Sequence, residues 1–346
     1  MKQPEYISFE NENRSMDMAS KVFDQRIRDS QTIYEMFKDS FYERSCPICG
    51  KNDFKNVEKF HEKYSIAKCN VCCSLYVNPC PNYESLDYYY NKCECNYLLG
   101  KLYRNRSSKL NLIISDRTQK VVQIIEKQLG FKDKISVLEV GCSSGVFLSE
   151  LKVALHNKGI FERCTLSGID IDNEAIKRNV DKEISLQCIS AENLSLDNQN
   201  RFDIVLHFEL IEHLNNPYDF MLSIFNLLTN NGIVHFHTPN GKGFDNIALG
   251  YNSYRPLAHG IFPPMHLQSF NVENITHFSL RSGFNVSEIE THGSFDVDII
   301  SSCADEVLDE FKLIKSFSKN QLAILQMWLK KLNSSAAMRC TLSKKI

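Results

Sequence analysis

The sequence predicts an α/β fold, a doubly wound sheet of mainly parallel strands, with a small cysteine-rich ribbon ahead of it. Three observations carry the prediction. Residues 135–145, ISVLEVGCSSG, read as a buried strand that breaks into a glycine-bracketed turn and then a helix. Downstream of them, apolar runs of strand length alternate with helical stripes to about residue 240. Upstream, eight of the 13 cysteines fall before residue 96, which sets that part of the chain apart.

The first unit is justified residue by residue. Ile135, Val137, Leu138 and Val140 form the strand, and Phe147, Leu148, Leu151 and Leu155 repeat at helical spacing until Gly159 stops them. Glycines 141 and 145 let backbone approach a ligand where a Cβ would collide, and the helix start offers free N–H groups. The spacing is E-x-G-x-x-x-G, with Glu139 inside the strand end, and not the G-x-G-x-x-G of a dinucleotide turn. A carboxylate there repels a pyrophosphate and suits a cation. S-adenosylmethionine carries a sulfonium and an ammonium. The stretch resembles the first signature of the class I S-adenosylmethionine-dependent methyltransferases, E/D-x-G-x-G-x-G, with Ser143 in place of the middle glycine. The resemblance implies that Glu139, Gly141, Cys142 and Gly145 bind that cofactor.

At 346 residues, 43% hydrophobic and 24% charged, the chain is globular and long enough for about two domains. A net charge of −2 gives no excess of basic residues to track a phosphate backbone, so nucleic acid is disfavoured. The N-terminus has no signal-like apolar core, and no stretch has eighteen consecutive apolar residues. A cytoplasmic protein with no membrane partner is the expectation, and in that compartment cysteines serve as thiols or metal ligands.

Cys46-Pro-Ile-Cys49 and Cys69-Asn-Val-Cys72 form two C-x2-C knuckles nineteen residues apart, the spacing of a four-cysteine zinc site. A closed thiolate shell leaves no position for water, so a structural Zn2+ is expected. Cys73 can compete with Cys72 as the fourth ligand, and Cys80, Cys93 and Cys95 lack matching pairs and read as packing residues. The domain reading is a helical segment over 1–42, a zinc ribbon over 43–80, a tyrosine-rich link and helix over 81–130, and the nucleotide-type domain over 131–346. In the first segment Met18, Val22, Ile27, Ile33, Met36 and Phe37 predict one or two amphipathic helices. In the link, tyrosines cluster at 83, 88, 89, 90 and 97, and the reading favours interface packing over a substrate groove. Leu110, Ile113, Ile114, Val121, Ile124 and Ile125 place a helix over about 107–129.

The second strand is 164–170, with Asp172 capping the next helix and Asp170 placed to accept from both ribose hydroxyls of a nucleotide; Ile171 lies beside it. The third, 184–189, leads to Ala191 and Glu192, which can read an adenine edge. The fourth, 201–208, ends in Phe208 and opens into Glu209-Leu-Ile-Glu212-His213. Asn216-Pro217 starts a helix, the turn 229–232 ends it, and 233–237 is the fifth strand.

FDIVLHFELIEHLNNPYDF and LLTNNGIVHFHTPN are similar to the fourth and fifth strands of class I methyltransferases of the ubiquinone-biosynthesis O-methyltransferase type. CPICG, the second knuckle with LYVNP, the tyrosine link and PPMHLQSF resemble bacterial methyltransferases of polysaccharide and nucleotide-sugar modification. The resemblance implies a Rossmann-like seven-stranded methyltransferase sheet, with a late strand over 283–293 and an edge strand over 336–345. Between these, helical spacing over about 300–333 reads as a packed hairpin, with a lid or a homodimer contact as alternatives.

The implied chemistry is in-line methyl transfer, which needs alignment and exclusion of water. His213 and His266 are the candidate bases for a hydroxyl or carbon acceptor. Glu209, Glu212 and His213 fall at i, i+3 and i+4, one helical face that could hold a divalent ion. A methyltransferase acting on a small molecule, a sugar or nucleotide sugar, is the favoured reading. An RNA methyltransferase and a non-catalytic binding module are the alternatives.

Overall fold

The computed structural model describes residues 13–104, 108–179, 181–250, 260–293, 296–302 and 307–345. The side chains of Met18 and Leu110 lie outside the described part. The first helix, α1 (Asn13–Phe37), is a single element of 25 residues where one or two were predicted. A three-stranded ribbon follows, β1 (Phe54–Phe60), β2 (Tyr64–Cys69) and β3 (Leu75–Val77). Helices α2 (Tyr83–Lys92), α3 (Glu94–Arg104) and α4 (Ser108–Leu129) then lead into the large sheet.

That sheet alternates with helices as its sequence periodicity requires: β4 (Ile135–Val140), α5 (Val146–Asn157), β5 (Cys164–Asp170), α6 (Asn173–Lys177), β6 (Ser185–Cys188), α7 (Ala191–Asp197), β7 (Phe202–Phe208), α8 (Pro217–Leu227) and β8 (Leu228–Pro239). After α9 (Phe244–Leu249) come β9 (Gln268–Ser269), α10 (Val272–Arg281), β10 (Phe284–Thr291), α11 (Asp296–Ser302), α12 (Lys319–Lys331) and β11 (Ala337–Lys344). The seven strands lie in the order β10-β11-β8-β7-β4-β5-β6. Pairing is parallel from β8 across to β6, and β11 runs antiparallel to both of its neighbours.

Two expectations are corrected. The strand 336–345 is not the edge; β11 is threaded between β8 and β10, because its alternating Met338, Cys340 and Leu342 bury on the core face. The predicted turn 229–232 lies inside β8. Pairing with β7 jumps from Phe202↔Leu228 to Ile204↔Ile233, so the polar residues sit in a register irregularity and not in a hairpin-like break.

The core has two faces. Leu138, Val140, Val205, Val234 and Phe236 pack on one side against α8 and α10, and the same cluster runs into Cys46, Ile48, Ala67 and Tyr76 of the ribbon. Val121, Ile125, Leu148 and Leu151 cover the other side. The small sheet, order β1-β2-β3-β9, takes its fourth strand from residues 268–269, so the ribbon and the large sheet share both a core and a backbone ladder. Helix α12 packs with α9, α11 and the turn 309–316 in a satellite cluster of their own.

His207 sits in this core with both ring nitrogens buried and without a hydrogen-bond partner, its ring stacked on Phe236 at 4.5 Å and edge-on to Phe220 at 5.2 Å. Burial pushes its pKa down to about 3. A depressed folded pKa means that the neutral ring is required, so its share of stability is complete above the unfolded value near 6.5 and is lost as pH falls toward 3. His207→Phe is therefore expected to gain on the wild type by about 1.4 kcal/mol between pH 7.5 and 5.5, read from urea denaturation at both pH values. A pH-independent difference would contradict this.

Candidate active site

The strand-end cradle is built by backbone. Gly141 and Gly145 both take φ of 76°, and Ser143 takes φ of 49°, so the serine adopts the left-handed turn that a glycine usually occupies. A Cβ at Gly145 would stand 3.0 Å from Leu186 Cδ1. The N–H groups of Gly141 and Cys142 donate to the Ile169 carbonyl at 2.8 and 3.1 Å, locking the turn to β5. Asp170 accepts from Ser143 N at 2.7 Å on one oxygen and from Asp172 N at 2.9 Å on the other, and Asp172 in turn caps α6. Asp170 thus ties the glycine turn to the end of the second parallel strand, and its remaining lone pairs are free to accept from a ligand.

Glu139 is buried at the end of β4, and its Oε2 has no hydrogen-bond partner. Burial raises its pKa to about 8, with Arg117 pulling it down and Asp170 pushing it up. Such a carboxyl is chemically incomplete until a cationic group meets it. Arg117, from α4, lies with its guanidinium 4.1 Å from the Phe208 ring centroid and 3.6 Å from Glu209 Oε1. A cation and a carboxyl therefore stand side by side above the strand ends, a pair suited to the two charges of an amino acid.

The opposite side of the cleft is organised by the segment after β7. Glu209 has φ of 48°, and only Ile211–His213 form a 3-10 turn, so Glu209, Glu212 and His213 do not share a helical face. Glu209 pairs instead with Arg117. Glu212 is buried, accepts from Thr238 Oγ1 at 2.9 Å, and leaves Oε1 without a hydrogen bond, 3.8 Å from His213 Nε2. His213 Nδ1 lies 2.9 Å from the Tyr90 hydroxyl, and its ring meets that of His266 edge-on at 4.6 Å. Burial holds His213 down to about 4, so the imidazole is neutral at pH 7. Ligand atoms of Glu212, His213 and His266 all lie within 4.8 Å of one another, an arrangement that can pass protons or hold a cation. Gln268 fixes this turn by donating to Ile211 O at 2.8 Å and Leu214 O at 3.0 Å.

The four thiols of Cys46, Cys49, Cys69 and Cys72 also lie within 4.8 Å of one another. The knuckles match: Gly50 N donates to Cys46 O at 2.8 Å with φ of 75°, and Cys73 N donates to Cys69 O at 3.0 Å with φ of 57°. Cys73 is exposed and fills the turn position of a glycine, which leaves Cys72 in the cluster.

Other predicted residues have different surroundings. Cys142 is buried against Gly168, and Phe208 packs on Phe147, His237 and Arg117. Ala191 is buried at the start of α7, while Ile171 and Glu192 are exposed at the strand-end edge. Asn240, just past the end of β8, donates to Ser335 O at 2.9 Å and accepts from Lys242 N at 3.1 Å, which ties it to the start of β11. Sequence reasoning missed Arg117 and the contact of Tyr90 with His213. Arg117 carried a signal: it stands four residues before buried Val121, a charge inside an apolar stripe.

A parallel sheet with one antiparallel strand, glycine turn at the first strand end and acid at the second defines a nucleotide-type transferase scaffold. Residues 113–289 match the family described as methyltransferase domain, and the chain belongs to that family. It is 30% identical over 135 residues to a ubiquinone biosynthesis O-methyltransferase of Colwellia psychrerythraea, covering 37% of this chain and 50% of that protein. Over 125 residues it is 34% identical to the protein of that name from Coxiella burnetii, covering 34% and 49%. The chain spans about half the length of the curated relatives it matches. A solved S-adenosylmethionine-dependent methyltransferase of Archaeoglobus fulgidus is 17% identical with a TM-score of 0.45, covering 72% of this chain and 99% of that one.

Because Cys73 carries a left-handed backbone that a Cβ penalises, Cys73→Gly is expected to raise stability by about 1 kcal/mol and leave the cluster intact. Urea denaturation measures this; a loss of stability would assign Cys73 a bonding role.

Proposed function

We propose that the chain transfers the methyl group of S-adenosylmethionine to a small-molecule acceptor, a hydroxyl or carbon of a sugar or nucleotide-sugar type compound. The observation that supports this best is the orphaned Glu139 carboxyl beside Arg117 at the glycine turn. Glu139 would hold the ammonium of the cofactor, Arg117 its carboxylate and Asp170 its ribose, with Gly141, Gly145 and Ile171 lining the approach and Ala191 and Glu192 near the base. When bound, the cofactor supplies an activated methyl on sulfur, so the protein's work is alignment, dryness and proton removal.

Proton removal belongs to Tyr90 and His213. Tyr90 is 40% exposed and its hydroxyl lies against His213 Nδ1, whose neutral ring can take a proton through the phenol oxygen. His266 and Glu212 hold the imidazole in orientation. The thiol cluster is proposed to hold one structural Zn2+: four thiols this close, two of them buried, suit a tetrahedral soft cation. The ribbon over 43–80 is then a metal-held brace for the domain over 131–346.

Three measurements test these assignments. Adding S-adenosylhomocysteine at pH 7 should release a proton as Glu139 ionises, seen by calorimetry in buffers of different ionisation heat. Glu139→Gln should abolish the release and weaken binding about tenfold. Unchanged affinity in both Glu139→Gln and Asp170→Ala would sink the cofactor site. Protein purified without added metal should carry zinc that Cys49→Ser loses together with stability; full occupancy in that variant would overturn the ligand set. Against a panel of nucleotide sugars, S-adenosylhomocysteine release should fall about 10²–10⁴-fold in His213→Ala, with Tyr90→Phe adding nothing further in the double variant. Release restored by magnesium after chelation would replace the proton-passing pair by a metal, and release with RNA alone would overturn the acceptor class.

A further inference from the structure

His237 lies near the end of β8, only 1% exposed, and its Nδ1 is buried without a hydrogen-bond partner. The other ring nitrogen is engaged: Nε2 lies 3.3 Å from His235 Nε2, and His235 Nδ1 lies 2.9 Å from Thr341 Oγ1. A buried polar atom left unmet is costly, and a ligand that meets it recovers that cost.

The place of this atom is set by strand register. Parallel pairing puts Phe208 directly beside His237, ring centroids 5.0 Å apart, and puts Leu206, two residues before Phe208, beside Glu139. The Arg117 guanidinium lies 4.1 Å from the Phe208 ring centroid. Glu139, Phe208 and His237 therefore share one face of the sheet on three successive strands, β4, β7 and β8. They stand at the strand ends where open α/β sheets bind ligands. Strands lie about 4.8 Å apart, so a ligand whose ammonium meets Glu139 extends across Phe208 toward His237. Because Nε2 turns back along β8 to His235, Nδ1 occupies the ring flank toward the strand end. Thr238, next in the chain, turns to the opposite face and donates to Glu212 beside His213. The end of β8 thus lies between His237 and the pair assigned to proton removal.

Burial drives the His237 pKa well below its ordinary value, and His292, Arg117, His235 and Arg339 add to the shift, so the ring stays neutral and does not act as a base. The chain it belongs to has two arrangements. If Thr341 donates to His235 Nδ1, His235 donates from Nε2 to His237 Nε2, and His237 Nδ1 carries the hydrogen. With the hydrogens reversed, Nδ1 accepts. A hydroxyl fits both arrangements without bringing charge into the site.

We propose that His237 sets acceptor specificity: its Nδ1 hydrogen-bonds an uncharged hydroxyl of the acceptor, distinct from the methylated position, so the acceptor is a polyol. The inference rests on the acceptor-side reading above and narrows it. A site built to hydrogen-bond a hydroxyl rejects compounds that lack it, because its own buried atom is then left unmet.

The test uses the full chain saturated with S-adenosylhomocysteine. The probes are the panel of nucleotide sugars, two plain polyols, glycerol and myo-inositol, and inorganic pyrophosphate as an anion without hydroxyls of this kind. An Asn amide takes the place of Nδ1 and a Gln amide the place of Nε2, so two variants separate ligand contact from the bond to His235. Calorimetry should show at least one sugar or polyol bound by the wild type, about tenfold or more weaker in His237→Gln and within about threefold in His237→Asn. Affinity for S-adenosylhomocysteine should be the same in both variants. The same probe should move the ring-nitrogen resonances of His237 in wild type labelled at its histidines, and these decide alone if neither variant folds. Unmoved resonances, equal binding to His237→Gln, the reverse order of the two variants, or a response to pyrophosphate in place of the hydroxyl probes overturns the proposal. So does a loss of S-adenosylhomocysteine affinity in both variants, which would assign His237 to the cofactor. Polyol binding without any nucleotide sugar supports the proposal and counts against the sugar class alone. Failure of the wild type to bind S-adenosylhomocysteine counts against the proposed function, and the probe arms are still read without it.

Discussion

At two strand ends the backbone passes through the left-handed region, which a Cβ penalises and which turns the chain sharply. At the end of β4 that constraint falls on Gly141, Ser143 and Gly145, and at the end of β7 it falls on Glu209. The glycine turn and the Glu209–His213 segment are placed by these two breaks. The first break turns backbone N–H groups toward β5, where Ile169 and Asp170 receive them. The second swings the chain so that Glu209 meets Arg117 while Glu212, three residues on, points back under Thr238.

The electrostatics of the cleft follow from that placement. Glu139 and Glu212 are carboxyls taken out of water, and burial raises both, the second further because Glu209 is near. His213 is driven the other way by the same burial. At pH 7 Glu139 is thus mainly a neutral acid and His213 a neutral base, two groups poised to change charge when a charged ligand arrives.

Much of this was legible beforehand. Strand and helix periods, the glycine turn, Asp170, the caps at Asp172 and Asn216 and both C-x2-C knuckles are local signals, and local backbone chemistry decided them. The misreadings share a cause. Asn-Asn-Gly inside β8 and the edge placement of β11 depend on which strand lies alongside, and partner choice across a sheet leaves no mark at short range. Arg117 is a charge inside an apolar stripe; periodicity locates the stripe, and only tertiary packing shows that this residue meets Phe208 and Glu209.

Pairing of β3 with β9 is short, two residues wide, Leu75 on Ser269 and Tyr76 on Gln268. Gln268 is also the side chain that grips the turn bearing His213, and Arg44 reaches from the ribbon to Asn215 and Leu267 on either side of it. Oxidative damage at the four thiols would therefore propagate along a defined route. It would reach the turn bearing His213 first and the glycine turn, anchored to β5 by its own backbone, last.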